Sequence, residues 1–364
     1  MKKEAVPISC RIDKKNARIA LSPQCNLACN YCEGPQGRRP DKPGSMEDFR
    51  ASGIETGNIT SEQYLSIMTA IMLAGLRGVT FTGGEPMLNL EWPELVKAAS
   101  QMGFKRVEMT TNGTLLLHFL EQHGKLPLEL TNLKVSLDTH DPDKFRQITK
   151  VGDLNQVTAG IEQVRQTSPD LNLRANKVLL RSDLPEIKHY LDFIEHLGMN
   201  EVIFLDLILT DAADPAAKRF FEREFVSIAE VIPLLKRIYG NELTTTESRY
   251  GPKLYLPSGL PIILKDSNGL TLRDEACYQC PITCQEGMFT TRVATDGAIR
   301  LCYDQKNQLK YVDGRQILED QNQAILNTDV EALVARMIVA SGQFFFPTFL
   351  NKAGVSLKSE PQSL

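Results

Sequence analysis

Cys25, Cys29 and Cys32 fall within the segment Ser-Pro-Gln-Cys-Asn-Leu-Ala-Cys-Asn-Tyr-Cys, three thiols at C-x3-C-x2-C spacing. As thiolates, such a triad can hold three irons of a [4Fe–4S] cube. Cubes are ordinarily held by four cysteines, and this segment offers no fourth. One iron would then be left open for a small molecule. Zinc is the competing reading, because it accepts thiolates in closed four-coordinate sites or in three-ligand sites completed by water. Further ligands for it would have to come from elsewhere in the chain.

A second motif supplies context. Thr82-Gly83-Gly84-Glu85-Pro86 closes the apolar run Gly78-Val79-Thr80-Phe81, which reads as a strand. Two glycines allow a ligand close to the backbone and its N–H donors. A carboxylate beside them can take the ammonium of an amino-acid-like ligand.

With the triad first and the Gly-Gly-Glu-Pro turn second, the chain resembles the radical S-adenosylmethionine (SAM) superfamily. The resemblance implies a [4Fe–4S] cluster whose open iron is chelated by SAM, and a one-electron donor such as flavodoxin or ferredoxin. It also implies reductive cleavage of SAM to a 5′-deoxyadenosyl radical that abstracts hydrogen from substrate. Tyr31, Gly83, Gly84, Glu85 and Pro86 match its cofactor-binding positions, joined by Thr111, Ser136 and Asn176 at later strand ends.

The elements that must position these residues alternate. Strand patterns cover 17–21, 79–82, 106–111, 133–137, 171–180 and 201–207, and helical patterns cover 61–74, 92–102, 115–123, 154–166 and 184–197. Leu184, Ile187, Leu191, Ile194 and Leu197 form an apolar stripe at helical spacing. Repeated βα units predict a parallel sheet with helices outside. Six units are too few for a closed eight-stranded barrel, and the resemblance implies a partial (βα)6 barrel. The motifs sit after strands one to five, where barrel enzymes build their sites. Taken singly, Asn112-Gly113, Asp138 and Asn176 each read as a turn or cap, and as a convergent rim they read as contacts to SAM and substrate. Residues 218–239 read as one long amphipathic helix kinked at Pro233. It would end a barrel domain spanning 1–240, ahead of a C-terminal region at 241–364.

That region holds a second cysteine group, Cys277-x2-Cys280-x3-Cys284 and then Cys302. Between them, 290–294 and 298–301 read as two strands around Thr295-Asp296-Gly297, a hairpin signal. A four-cysteine zinc ribbon fits the spacing. The pattern also resembles the twitch/SPASM subdomain of the superfamily, which implies a second, auxiliary [4Fe–4S] cluster on Cys277, Cys280, Cys284 and Cys302.

The overall layout is most similar to the GTP 3′,8-cyclase family of molybdopterin biosynthesis. Arg18, Arg174 and Arg292 stand where that family has cationic substrate contacts, and arginine suits phosphate because its planar fork donates two hydrogen bonds. Ordinary ion-paired arginine is the plainer reading of each. Thr80, Thr290 and Ile208 replace family positions, and the chain ends Pro-Gln-Ser-Leu rather than Gly-Gly. The expectation is therefore a small anionic, nucleotide-like substrate other than GTP, cyclised or rearranged after hydrogen abstraction. A peptide-modifying maturase is the alternative, with a peptide as substrate, and a non-catalytic zinc protein is a third. The catalytic acid or base is not legible, and the five histidines show no ligand spacing.

Bulk composition fits this picture. With 24% charged residues and a net charge of −4, the 364-residue chain lacks the basic excess that nucleic acid or membrane surfaces require. Its first residues lack the apolar core of a signal peptide, and no apolar run reaches a membrane span. A cytoplasmic enzyme is expected. Clustering of seven of the eight cysteines points to metal rather than disulfides.

Overall fold

Short apolar strands joined by amphipathic helices can satisfy their backbones only by pairing with one another, with the helices covering the exposed face. The computed structural model describes residues 16–32, 59–73, 76–209, 215–248, 251–265, 291–295 and 299–300. Six parallel strands, β1 (Asn16–Ala20), β2 (Gly78–Thr82), β3 (Arg106–Thr111), β4 (Asn132–Ser136), β5 (Asn172–Leu179) and β6 (Glu201–Asp206), lie side by side in chain order. The connecting helices are α1 (Ser61–Leu73), α2 (Trp92–Gln101), α3 (Leu116–His123), α4 (Pro142–Thr149), α5 (Leu154–Thr167) and α6 (Ile187–His196). This is the parallel sheet with outer helices that the alternation predicted and the partial barrel that the resemblance implied.

Helix α4 is an addition to the sequence reading. Asp141 caps it, its carboxylate accepting from the N–H groups of Asp143 and Lys144, with Pro142 at the first helical position. The long helix predicted over 218–239 is two helices, α7 (Pro215–Glu224) and α8 (Ile228–Tyr239). The break has a local cause. Ser227 and Glu230 have capping-box spacing, and the Ser227 N–H donates to Glu230 Oε1 at 3.2 Å, starting a new helix.

The sheet also runs further than six strands. After α8 a meander of β7 (Thr244–Ser248), β8 (Gly251–Tyr255) and β9 (Pro261–Lys265) joins it, with β9 parallel to β6. At the other edge β10 (Thr291–Val293) lies parallel to β1, and β11 (Ile299–Arg300) turns back along it as the predicted hairpin. The order β11-β10-β1-β2-β3-β4-β5-β6-β9-β8-β7 has two ends, so the sheet is open.

Burial separates the faces. Along β5, Leu173, Ala175 and Leu179 are buried in the core with the helices, while Asn172, Arg174, Asn176 and Val178 alternate onto the half-buried inner face. Trp92 packs at the start of α2, 2% exposed and 4.9 Å from the Phe119 ring. No described helix is long and apolar enough to cross a membrane.

Candidate functional site

The cysteine segment leaves β1 and is tied down on three sides. On the first, its backbone crosses the Gly-Gly-Glu turn after β2. Leu21 N–H donates to Thr82 O at 2.8 Å, Gly84 N–H to Ser22 O at 2.7 Å and Glu85 N–H to Gln24 O at 2.7 Å. A Cβ on Gly84 would lie 2.0 Å from Gln24 O, so only glycine permits this crossing. The sequence reading had the turn's N–H groups facing a ligand. Those of Gly84 and Glu85 instead face the cysteine loop, whose carbonyls would otherwise be unpaired.

On the second side Asn112, just past β3, reaches the triad. Its Nδ2 donates to Asn26 Oδ1 at 2.8 Å and to Cys25 Sγ at 3.7 Å, while Asn26 Nδ2 donates to Thr114 Oγ1 at 2.8 Å. Cys25 Sγ also accepts from Leu27 N–H at 3.4 Å. On the third side, Ala28 and Asn30 donate their N–H groups to Thr149 O and Ile148 O at the end of α4.

Glu85 is 0% exposed. Its carboxylate accepts from Thr111 Oγ1 at 2.7 Å, Asn112 N–H at 2.8 Å and Met87 N–H at 3.1 Å. Burial pushes its carboxyl up to about 7 despite these three donors. A carboxylate has roughly four acceptor positions, so capacity remains for one more donor, and a cationic one would be favoured most. Pro86 opens a buried 3-10 turn, Pro86–Leu88, which fixes the direction of that carboxylate.

A charged network braces the cysteine loop through Tyr31. The Tyr31 hydroxyl donates to Asp138 Oδ2, and Asp138 Oδ1 accepts from Val178 N–H at 2.7 Å. Lys177, 1% exposed, donates to the Asp138 carbonyl and to Asp183 Oδ2 at 2.8 Å, and Lys144 closes the other side of Asp183. Burial raises the Tyr31 phenol well above its usual range, with the Asp138 charge adding to it. The phenol therefore stays a donor at every ordinary pH.

The donor set suits a cluster. Cys25 and Cys29 are half-buried and Cys32 is exposed. Burial pushes the Cys25 thiol up to about 12 and raises Cys29 too, and the Cys32 charge adds to both. Such thiols give up protons only to strongly cationic partners. Among the described residues, the one set of three His, Cys, Asp or Glu ligand atoms mutually within 4.8 Å lies elsewhere, at His140, Glu186 and His189. The triad is thus more widely spread than sulfurs around one zinc, which lie roughly 4 Å apart for Zn–S bonds near 2.3 Å. A cube distributes its thiolates over separate irons. The N–H groups on Cys25 Sγ are of the kind that tune a cluster's potential.

Beyond the mouth, the inner face is polar. Strand register places Arg292 beside Arg18, Arg18 beside Thr80, Thr80 beside Glu108, Lys134 beside Arg174, and Arg174 beside Glu201. Glu108 is bound by Lys134 at 2.6 Å, Thr80 at 2.9 Å and Asn132 at 3.0 Å. Glu201 is bound by Arg174 at 3.0 Å and Lys253 at 3.5 Å. Ser136 and Asn176 are cross-strand neighbours. Asn176 Oδ1 and Thr110 Oγ1 are buried without a partner among the described residues, orphans of the kind a polar ligand would satisfy.

Of the residues singled out from sequence, the structure gathers Cys25, Cys29, Cys32, Tyr31, Gly83, Gly84, Glu85, Pro86 and Thr111 around one loop. Ser136 and Asn176 share one row of the inner face, and Arg18, Arg174 and Arg292 share that face. Cys277, Cys280, Cys284 and Cys302 lie outside the described residues. Asn26, Lys177 and Asp183 were missed, and Asp138, singled out as a cap or rim residue, instead receives the Tyr31 hydroxyl. His140 and His189 have no ligand spacing in the sequence, and the fold brings them together across 49 positions.

An open, mostly parallel α/β sheet with a thiol triad after its first strand and a Gly-Gly-Glu-Pro turn after its second defines a SAM-dependent radical enzyme. The chain belongs to the radical SAM superfamily, whose profile matches residues 19–205. It therefore works with a [4Fe–4S] cluster, SAM and a one-electron reductant. It is 27% identical over 305 residues to a "Probable GTP 3′,8-cyclase" of Saccharolobus islandicus, covering 82% of this chain and 86% of that one. A protein of the same description from Methanococcus maripaludis is 29% identical over 226 residues, covering 58% and 70%. Among solved structures, Streptococcus suis SuiB bound to precursor peptide SuiA superposes with a TM-score of 0.50 at 14% identity. That match covers 79% of this chain but 59% of SuiB, and it speaks to the fold alone.

Proposed function

We propose that this enzyme takes hydrogen from a small anionic, nucleotide-like substrate and drives its cyclisation or rearrangement. The observation that carries this reading is the charge of the inner face. Among the described residues it bears Arg18, Arg106, Lys134, Arg174, Lys265 and Arg292 against Glu108 and Glu201, an excess that attracts phosphate or carboxylate. The relatives' description as GTP 3′,8-cyclases supports the substrate class. Thr80, which ties Glu108 to Asn16 through side-chain hydrogen bonds, fills a place where that family uses arginine, and so argues against GTP itself. A peptide finds less support, because an extended main chain has no use for this density of cations.

In this reading Cys25, Cys29 and Cys32 hold the cluster. When bound, that cluster would supply one-electron reduction of SAM, the chemistry that hydrogen abstraction from substrate requires. The chain's own residues do the rest. Glu85 would accept a hydrogen bond from the amino group of SAM, and Gly83, Gly84 and Pro86 set its position. Thr111 orients that carboxylate, while Ser136 and Asn176 offer hydrogen bonds to the nucleoside part. Tyr31 ties the cysteine loop to Asp138. Arg18, Arg174 and Arg292 hold the substrate anion.

Residues 1–240 act as the catalytic barrel and 241–364 as an auxiliary part, with a second [4Fe–4S] cluster on Cys277, Cys280, Cys284 and Cys302. Anaerobic reconstitution should give about eight irons per chain, four for each cube. With dithionite and SAM, release of 5′-deoxyadenosine should rise with a nucleotide. Stimulation by peptides and by no nucleotide would refute the substrate class.

A further inference from the structure

We propose that His140, Glu186 and His189 form a binding site for one divalent first-row transition ion, zinc first among them. Glu186 ends a 3-10 turn (Arg181–Glu186) and His189 lies in the first turn of α6, so their i, i+3 spacing puts both on one helix face. His140 arrives from the loop after β4. The three ligand atoms lie within 4.8 Å of one another, with His189 Nδ1 2.6 Å from Glu186 Oε2. The imidazole rings are 6.0 Å apart between centroids, and Phe193, one turn along α6, stands 6.3 Å from the His140 ring.

Two imidazoles and a carboxylate are a donor set for zinc, nickel or copper, with water completing the shell. His140 is the anchor, half-buried, with its ring against His189 and Phe193 of α6. The other two side chains are 67% and 56% exposed and can turn to close around an ion. A Glu186–His189 surface ion pair accounts for two of these residues. Ring packing on Phe193 brings the His140 imidazole beside them, where its lone pair can serve as a third donor. The ion also satisfies the third. Asp141, Lys144 and Lys177 are the other charged groups acting on the cluster.

The site has a structural consequence. His140 follows Asp138, which receives the Tyr31 hydroxyl, by two residues. A bound ion would clamp α6 to the loop that braces the cysteine segment.

The test uses the full chain, loaded with iron–sulfur clusters and kept anaerobic, dialysed against zinc. Wild type should bind one zinc per chain more than His189→Ala. Glu186→Gln should bind that ion at least about 10-fold more weakly, in line with ligand-shell losses elsewhere, and His196→Ala, on the same helix, should not change. X-ray absorption of the ion lost in His189→Ala should show nitrogen and oxygen neighbours alone. Equal zinc uptake and affinity in wild type, His140→Ala and His189→Ala would overturn the proposal, as would a sulfur shell for that ion. Both exposed positions tolerate substitution, so the test stands even if His140→Ala folds poorly.

Discussion

Gly84→Ala tests the crossing of the cysteine loop and the Gly-Gly-Glu turn. The added Cβ would start 2.0 Å from Gln24 O, 2.4 Å from Gln24 C and 2.9 Å from Cys25 N, against the 3.4 Å of ordinary contact. All three neighbours are backbone, so no rotamer change relieves the clash and the two segments must part. Parting them breaks the Gly84–Ser22 and Glu85–Gln24 hydrogen bonds. Two backbone bonds cost about 1 kcal/mol each, and overpacking adds roughly 1–3 kcal/mol. The local penalty is then about 3–5 kcal/mol, less than or comparable to the stability of a domain. The barrel should therefore fold while the loop detaches from its seat. The assay is iron per chain after anaerobic reconstitution, read beside thermal unfolding. Gly103→Ala is the reference, because a Cβ there meets nothing within 4 Å and the cost is only its φ of 94°. Gly84→Ala should incorporate far less iron at the N-terminal triad than Gly103→Ala does. Wild-type iron content and melting temperature in Gly84→Ala would show that the close crossing does not hold the loop, and the three-sided seating would fail with it.

Tyr31→Phe leaves the buried Asp138 Oδ2 without its donor, a loss of about 1–3 kcal/mol; the expected result is faster cluster loss under chelator with the secondary structure unchanged by circular dichroism. Glu108 gives a pH prediction. Burial alone would raise its carboxyl, but Lys134, Thr80 and Arg106 outweigh burial and hold it down to about 2. Its folded value lies below the unfolded one, so the stabilisation is complete above pH 4.5 and fades as pH falls toward 2, about 3 kcal/mol in all. Glu108→Gln should flatten the acid limb of a melting-temperature profile across that window, and an unchanged slope would contradict the pairing. Arg18→Ala and Arg292→Ala should each raise the KM for a nucleotide about 10- to 100-fold, the worth of one charge-assisted hydrogen bond. The unstimulated cleavage of SAM should stay as it was.

Much of this was legible because the signals are local. Thiol spacing, the Gly-Gly-Glu-Pro turn and the βα alternation each need only a few neighbouring residues. Helix α4 was equally legible, since Asp141-Pro142 is a start signal, but its eight residues offer too short a period to stand out. The break between α7 and α8 was also written locally, in Ser227 and Glu230. The pairing of β9 with β6 and of β10 with β1 was not. Those contacts join segments tens to hundreds of residues apart and depend on which sheet edges the barrel leaves open. The same limit hid Asp138, Lys177 and Asp183, whose roles exist only once the ends of β4 and β5 meet the cysteine loop.

That division explains why so many polar groups are spent on a loop of about ten residues. Two half-buried thiols with raised proton affinity, Cys25 and Cys29, beside the exposed Cys32 resist assembly as an ion site, since the neighbouring thiolates disfavour both. Cationic irons reverse the balance only if the three sulfurs are already held apart in the right frame; otherwise ordering the loop would be charged against cluster binding. Hydrogen bonds from Gly84, Glu85 and Asn112, together with the Thr149 carbonyl and the Tyr31–Asp138 pair, supply that frame before any iron arrives. If this is the reason for the network, its variants should fail in a shared way. Asn112→Leu, Tyr31→Phe and Gly84→Ala should slow cluster assembly more than they weaken SAM binding to whatever fraction assembles. A variant with a normal assembly rate but lost SAM affinity would place its residue at the ligand instead of in the frame.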